Sequence, residues 1–214
     1  MMRTPNLTFV SAGAALVLIA GAAIQRSAGQ TGVPSWPQLA IELRSAETFA
    51  DISDTQARSI ALFEEAGKVL QHPRCMNCHP AGERPRQTDQ RRLHQPLVVR
   101  GKDGHGAPGM ACATCHGGAN FDPSRVPGNP HWALAPASMA WEGKTLGEIC
   151  VQLKDPLRNG GRDIAAILKH VTSDSLVLWA WEPGPGRTPA PGSNAEFAKL
   201  LAAWADTGAH CPIR

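Results

Sequence analysis

Apolar positions recur at helical spacing in four places along the chain. The first stretch runs from about Asp54 to Gln71, with Ile60, Phe63, Ala66 and Leu70 on one stripe. Ser53 with Gln56 fits a capping box at its start, and it ends at His72-Pro73. In the second, Thr145 and Glu148 form another capping box, Leu146, Ile149, Cys150 and Leu153 share a face, and Pro156 is the stop. The third runs from about Asp163 to Val171, with Ile164, Ile167, Leu168 and Val171 inward. In the last, Ser193 and Glu196 cap a stripe of Phe197, Leu200, Leu201 and Trp204, and Gly208 closes it. No segment alternates with period two, and from Pro73 to Pro136 no period is sustained at all. The pattern predicts a mainly α fold with long loops. Irregular backbone of that length in a compact domain needs something other than ladder hydrogen bonds to hold it.

The first 29 residues read as an export segment. Arg3 gives a basic start, Leu7 to Ile24 is uncharged and apolar, and Ser27 and Gly29 suit cleavage before Gln30. The run at 7–24 is also about long enough to span a bilayer. Two outcomes fit, a cleaved signal peptide or an uncleaved N-terminal anchor, and either puts the rest of the chain outside the cytoplasm. Residues 30–53 follow as linker and N-terminal segment, with a tether from Gln30 to Pro37 rich in Gly and Pro, and 54–214 form the domain.

Charge narrows the partners. Arg3 and Arg26 are the only charged residues of 1–29, so without that segment the chain carries 19 Lys and Arg against 18 Asp and Glu. A near-neutral domain gives no reason to expect nucleic acid. The chain also has no Tyr and only five Phe, so core volume must come partly from elsewhere, and an embedded cofactor supplies it.

The chemistry lies inside the irregular stretch. Cys75-Met76-Asn77-Cys78-His79 and Cys112-Ala113-Thr114-Cys115-His116 both read Cys-x-x-Cys-His, the attachment signature of c-type haem. Two thiols three residues apart on one helical turn reach the two vinyl groups of one porphyrin. The adjoining His then gives its imidazole to the iron as proximal ligand. A four-Cys zinc site is the rival use of two Cys-x-x-Cys pairs, but it has no need of a His after each. Cys150 and Cys211 have no such partner, and an oxidising compartment makes a structural disulfide between them the expectation.

Each iron has a sixth position to fill. His94 comes 15 residues after His79, beside an apolar Leu97-Val98-Val99 run. His170 sits at the margin of an apolar helix face, and Met139 follows Leu134-Ala135-Pro136 in a loop. These three are the candidate distal ligands. His131 also follows its motif by 15 residues, but Pro130 and Trp132 suit a rigid loop equally, and His72, His105 and His210 read as turn or surface residues. Met as sixth ligand would raise the potential over a second His, and an open position would admit a small molecule. Residues 74–102 carry Arg74, Arg84, Arg86, Arg91, Arg92, Arg100 and Lys102 against Glu83 and Asp89. Such a run fits a rim that steers an acidic partner, a counter-charge for haem propionates, or a solvated loop.

Beyond the motifs, the chain resembles a family of small bacterial dihaem cytochromes c. The likeness covers about 55 to 213 and lies in His94 with Val98-Val99-Arg100-Gly101, Leu134-Ala135-Pro136 with Met139, and Cys150 with Gln152-Leu153-Lys154-Asp155. It continues through Asn159-Gly160-Gly161, His170, Trp179, Trp181-Glu182-Pro183-Gly184, Trp204 and His210-Cys211-Pro212. Members are often labelled as a subunit of isoquinoline 1-oxidoreductase, a molybdenum hydroxylase. The resemblance implies a small dihaem fold with haem-wrapping loops, and it favours His94, His170 and Met139 as distal ligands. It also implies a molybdenum hydroxylase or another periplasmic dehydrogenase as redox partner. Together these lead to an electron carrier, periplasmic or tethered to the inner membrane, rather than an enzyme. The rival readings are a peroxidase-like dihaem enzyme and a haem-based ligand sensor, each with one open iron.

Overall fold

The computed structural model describes residues 42–213 together with Met1. The apolar run at 7–24 and the tether at 30–37 lie outside the described residues. Residues 42–213 belong to the compact unit Gln38–Arg214. Among the described residues no helix is long and apolar enough to cross a membrane.

The fold is mainly α. Its helices are α1 (Thr55–Leu70), α2 (Pro73–Met76), α3 (Leu146–Lys154), α4 (Ile164–Ser173), α5 (Ser175–Leu178) and α6 (Asn194–Asp206). A 3-10 turn at Ala46–Phe49 precedes them. Two small antiparallel hairpins sit in the long irregular region. In one, β1 (Arg86–Gln87) pairs with β2 (Arg92–Leu93), and in the other β3 (Gly106–Ala107) pairs with β4 (Met110–Ala111).

α6 is the centre of the core. It packs on α1 and α4, and the 3-10 turn lies against both α1 and α6. Its stripe is the expected one: Phe197, Leu200, Leu201 and Trp204 are all 2% exposed or less. Burial of each such side chain contributes about 1.5–3 kcal/mol. Trp204 meets Phe63 of α1 with ring centres 4.9 Å apart, and Trp181 meets Phe197 at 5.7 Å. The Ser193–Glu196 and Thr145–Glu148 capping boxes both form. The start of α1 differs from expectation. Asp54, not Ser53, is the N-cap, and its carboxylate accepts the Ala57 N–H at 2.6 Å. A carboxylate also meets the positive end of the helix dipole, which a Ser hydroxyl does less well.

The region assigned to a linker is in part core. Leu43 and Phe49 are buried, and Glu65 of α1, 2% exposed, reaches back to it. Its carboxylate accepts from the main-chain N–H and Nε of Arg44, both at 2.9 Å, and from Lys68 Nζ at 2.6 Å. Burial alone would raise the pKa of Glu65, but Lys68 and Arg44 outweigh it and hold the carboxyl below its ordinary value.

The C-terminal tail is strapped to the same core. Ser59 Oγ accepts the His210 N–H at 3.0 Å and donates to the Trp204 carbonyl at 3.3 Å, and the Trp204 indole donates to the His210 carbonyl at 2.9 Å. Cys150 of α3 and Cys211 are joined in a disulfide, as the sequence predicts. The bond closes 61 residues of chain, and chain entropy assigns such a loop about 4 kcal/mol. Replacing both cysteines with Ser is therefore expected to cost about 2–5 kcal/mol in urea unfolding of the mature protein. A loss below about 1 kcal/mol would mean that the Ser59 and Trp204 bonds alone hold the tail.

Candidate haem-binding site

The first Cys-x-x-Cys-His motif is built on a helical turn. His72 caps α2 by accepting the Arg74 N–H at 3.3 Å, Pro73 supplies the fixed φ of a first helical position, and Cys75 follows one turn in. The Cys78 N–H then donates to the Cys75 carbonyl at 3.1 Å, so the two thiols lie on one turn. The second motif repeats this. Cys115 N–H donates to the Cys112 carbonyl at 3.2 Å, at the end of a loop shaped by the β3–β4 hairpin. Gly101 shapes that loop from the other side: its φ is +68°, and a Cβ there would overlap the Gly106 carbonyl.

Both motif histidines are held in the same way. His79 Nδ1 lies 2.7 Å from the Met139 carbonyl, and His116 Nδ1 lies 2.7 Å from the Pro127 carbonyl. A carbonyl only accepts, so each Nδ1 carries the proton and each Nε2 keeps a free lone pair. This is how metal-binding imidazoles are oriented by their outer shell. Each ring also lies on a Trp face, His79 on Trp141 (3.6 Å, 9° between planes) and His116 on Trp132 (4.6 Å, 13°).

Burial disfavours the charged form of both rings. Burial, opposed by the Met139 carbonyl and reinforced by His170 and Arg100, pushes the His79 pKa down to about 4. Burial likewise pulls His116 below the ordinary value, against the Pro127 carbonyl and with His94 and Arg187 adding to it. Neutral imidazole is the form that binds a metal. Burial pushes the Cys75 and Cys78 thiols up to about 12 and about 11.

His94 stands opposite His116. Their ring centres are 6.0 Å apart with planes at 64°. Rings at that spacing could each give a nitrogen to one metal ion. His94 Nδ1 is also engaged, 3.0 Å from the Pro96 carbonyl, which leaves its Nε2 free. His170, in the last turn of α4, has its Nδ1 3.1 Å from Asp174 Oδ2. The structure brings the rings of His94 and His116 together. Met139 meets the site differently from the sequence expectation. Its carbonyl serves His79 Nδ1, and its side chain, 6% exposed, is buried in the apolar core. His131, His105 and His210 are exposed, and His72 is spent on the cap of α2.

No known protein family, curated protein or solved structure matches this chain. The fit to a cofactor therefore rests on the donor set and its surroundings. Among the described residues no three His, Cys, Asp or Glu side chains converge on a bare metal ion, so the four thiols do not form a zinc tetrad. Haem iron asks the protein for only two axial ligands.

The two motif loops are tied together by residues 134–135, with Leu134 N–H donating to the Gly104 carbonyl at 2.9 Å and Ala135 N–H to the Cys78 carbonyl at 3.0 Å. Arg100, 5% exposed, clamps the junction through the carbonyls of Ala135, Pro80 and Gly82. The basic run is therefore not a solvated loop throughout. Arg74 is 6% exposed, paired with Asp89 and set over the Trp179 ring, and Arg86 pairs with Glu142 at 2.7 Å. Among the described residues, the buried Nε–H groups of Arg74, Arg84, Arg86 and Arg100 have no hydrogen-bond partner. Orphaned cationic donors of this kind are costly, and propionate carboxylates would satisfy them.

Sequence reasoning missed Trp132, Trp141, Asp174 and the two carbonyls. The carbonyls stand 11 and 60 residues from the histidines they serve, with no local pattern to mark them.

Proposed function

We propose that the chain is an electron carrier with two covalently bound c-type haems, one on Cys75 and Cys78 and one on Cys112 and Cys115. In this reading His79 and His170 would hold the first iron, and His116 and His94 the second. The haem, when bound, supplies one-electron chemistry. The protein's residues do the rest. The thiols anchor, the four imidazoles present Nε2, the carbonyls of Met139, Pro127 and Pro96 fix three of the rings, and buried arginines offset propionate charge.

The observation that carries the reading is the arrangement of imidazoles. All four have Nδ1 occupied, and His94 faces His116 at 6.0 Å. The tie between the two motif loops supports transfer between the two haems within one chain. The disulfide supports an oxidising, periplasmic location, soluble or tethered through residues 7–24. A dehydrogenase is the natural donor, and the resemblance to small dihaem cytochromes c adds a molybdenum hydroxylase as one such partner.

A pyridine haemochrome assay, on protein matured with haem-attachment machinery, tests this directly. Two haems per chain and no spectral response to CO is the expected result. A prompt CO shift of the Soret band would replace the carrier with a peroxidase-like enzyme or a ligand sensor. Colourless protein would overturn the proposal.

A further inference from the structure

Three of the four site imidazoles rest Nδ1 on a neutral carbonyl: His79 on Met139, His116 on Pro127 and His94 on Pro96. His170 differs. Its Nδ1 lies 3.1 Å from a carboxylate oxygen, Oδ2 of Asp174, four residues on. Asp174 ends α4 and caps α5, where its Oδ1 accepts the Leu176 N–H at 2.9 Å. One oxygen holds the turn and the other holds the ring. The nearby hydroxyls of Thr172 and Ser173 are spent on α4 carbonyls, so they do not compete for Asp174.

We propose that Asp174 sets the electron affinity of the first centre through His170, lowering its potential and so driving electrons from it towards the centre of His94 and His116. The inference rests on the dihaem reading above. A carboxylate that accepts the Nδ1–H draws that proton towards itself and leaves more electron density on Nε2. A more basic Nε2 favours the more positive, oxidised metal. A neutral carbonyl does this less, so the effect belongs to one centre only. A single electron moves; no bond is made or broken, and the proton stays between His170 and Asp174.

Asp174→Asn removes the charge and keeps an oxygen for the Leu176 N–H, so α5 stays capped. Spectropotentiometric titration of the mature variant is expected to raise one midpoint and leave the other unchanged. The oxidised-to-reduced ratio of that centre at a fixed potential falls about tenfold, about 59 mV for one electron. Asp174→Ser, which caps through its hydroxyl, gives the same single shift, and thermal unfolding midpoints of both variants match the parent protein. Two bound haems with neither midpoint moved would overturn the inference and leave the carrier standing. Two midpoints moved together would also overturn it, because a diffuse field and not His170 would then carry the effect. Protein that attaches no haem overturns the carrier itself, and this inference with it.

Discussion

A chain in which Cys75 and Cys78 are both alanine is expected to mature with one haem instead of two. The two thiols lie on one turn and are the only covalent anchors of that motif. On the dihaem proposal, His79 alone would then have to hold a group that no covalent bond retains. Attachment to Cys112 and Cys115 is independent, because each motif makes its own turn and fixes its own His through a separate carbonyl. The Cys112→Ala, Cys115→Ala chain is expected to lose the other haem by the same reasoning. The pyridine haemochrome yield per chain reads both results, and an unchanged yield in either variant would remove that motif from the site. The first variant is also expected to be the less stable of the two. Met76 and Arg74 beside its thiols are about 95% buried, whereas the second motif has no buried residue in its 3-10 turn.

The other large effect concerns His94. On the dihaem proposal, the iron that His116 would hold is expected to become five-coordinate in His94→Ala and to take up CO, which the parent protein is expected not to do. About half of the total haem absorbance should shift, since only one of two centres is opened. The 6.0 Å spacing of the rings makes the prediction specific to this histidine. His131→Ala serves as the control: His131 is exposed, and its N–H is bound to the Asn129 side chain at 2.9 Å. It should leave the CO response at zero. CO uptake by the His131 variant with none by the His94 variant would reverse the assignment of the distal ligand.

The outcomes for the distal candidates have a common physical origin. His94 comes to the second motif through its ring, and Met139 comes to the first through its carbonyl. The loop Leu134-Ala135-Pro136 does run to the first motif, and a 3-10 turn at Ala137–Met139 brings the Met139 carbonyl to His79. A three-residue change of backbone direction delivers that carbonyl, and no residue pattern records it.

What the sequence by itself determined is whatever closes within a few residues. The stripe at Phe197, Leu200, Leu201 and Trp204, the two Ser/Thr–Glu capping boxes and both Cys-x-x-Cys-His turns are set by contacts between positions three or four apart. Burial of a continuous stripe then leaves little choice of face. Asp54 was one residue from legible, since Ser53 and Asp54 are both good caps and only the φ and ψ of the chain select between them. The β3–β4 hairpin had a signal in Pro108-Gly109, whereas β1–β2 turns through Thr88 and Arg91 at positive φ, residues that do not announce a left-handed turn. The tertiary structure alone decided which carbonyl fixes each motif histidine, which Trp lies on it, that His94 meets His116, and that His170 meets a carboxylate where the others meet carbonyls. Those partners are brought together by the packing of α4, α6 and the long loops, and their energies depend on burial and distance, which sequence separation does not encode.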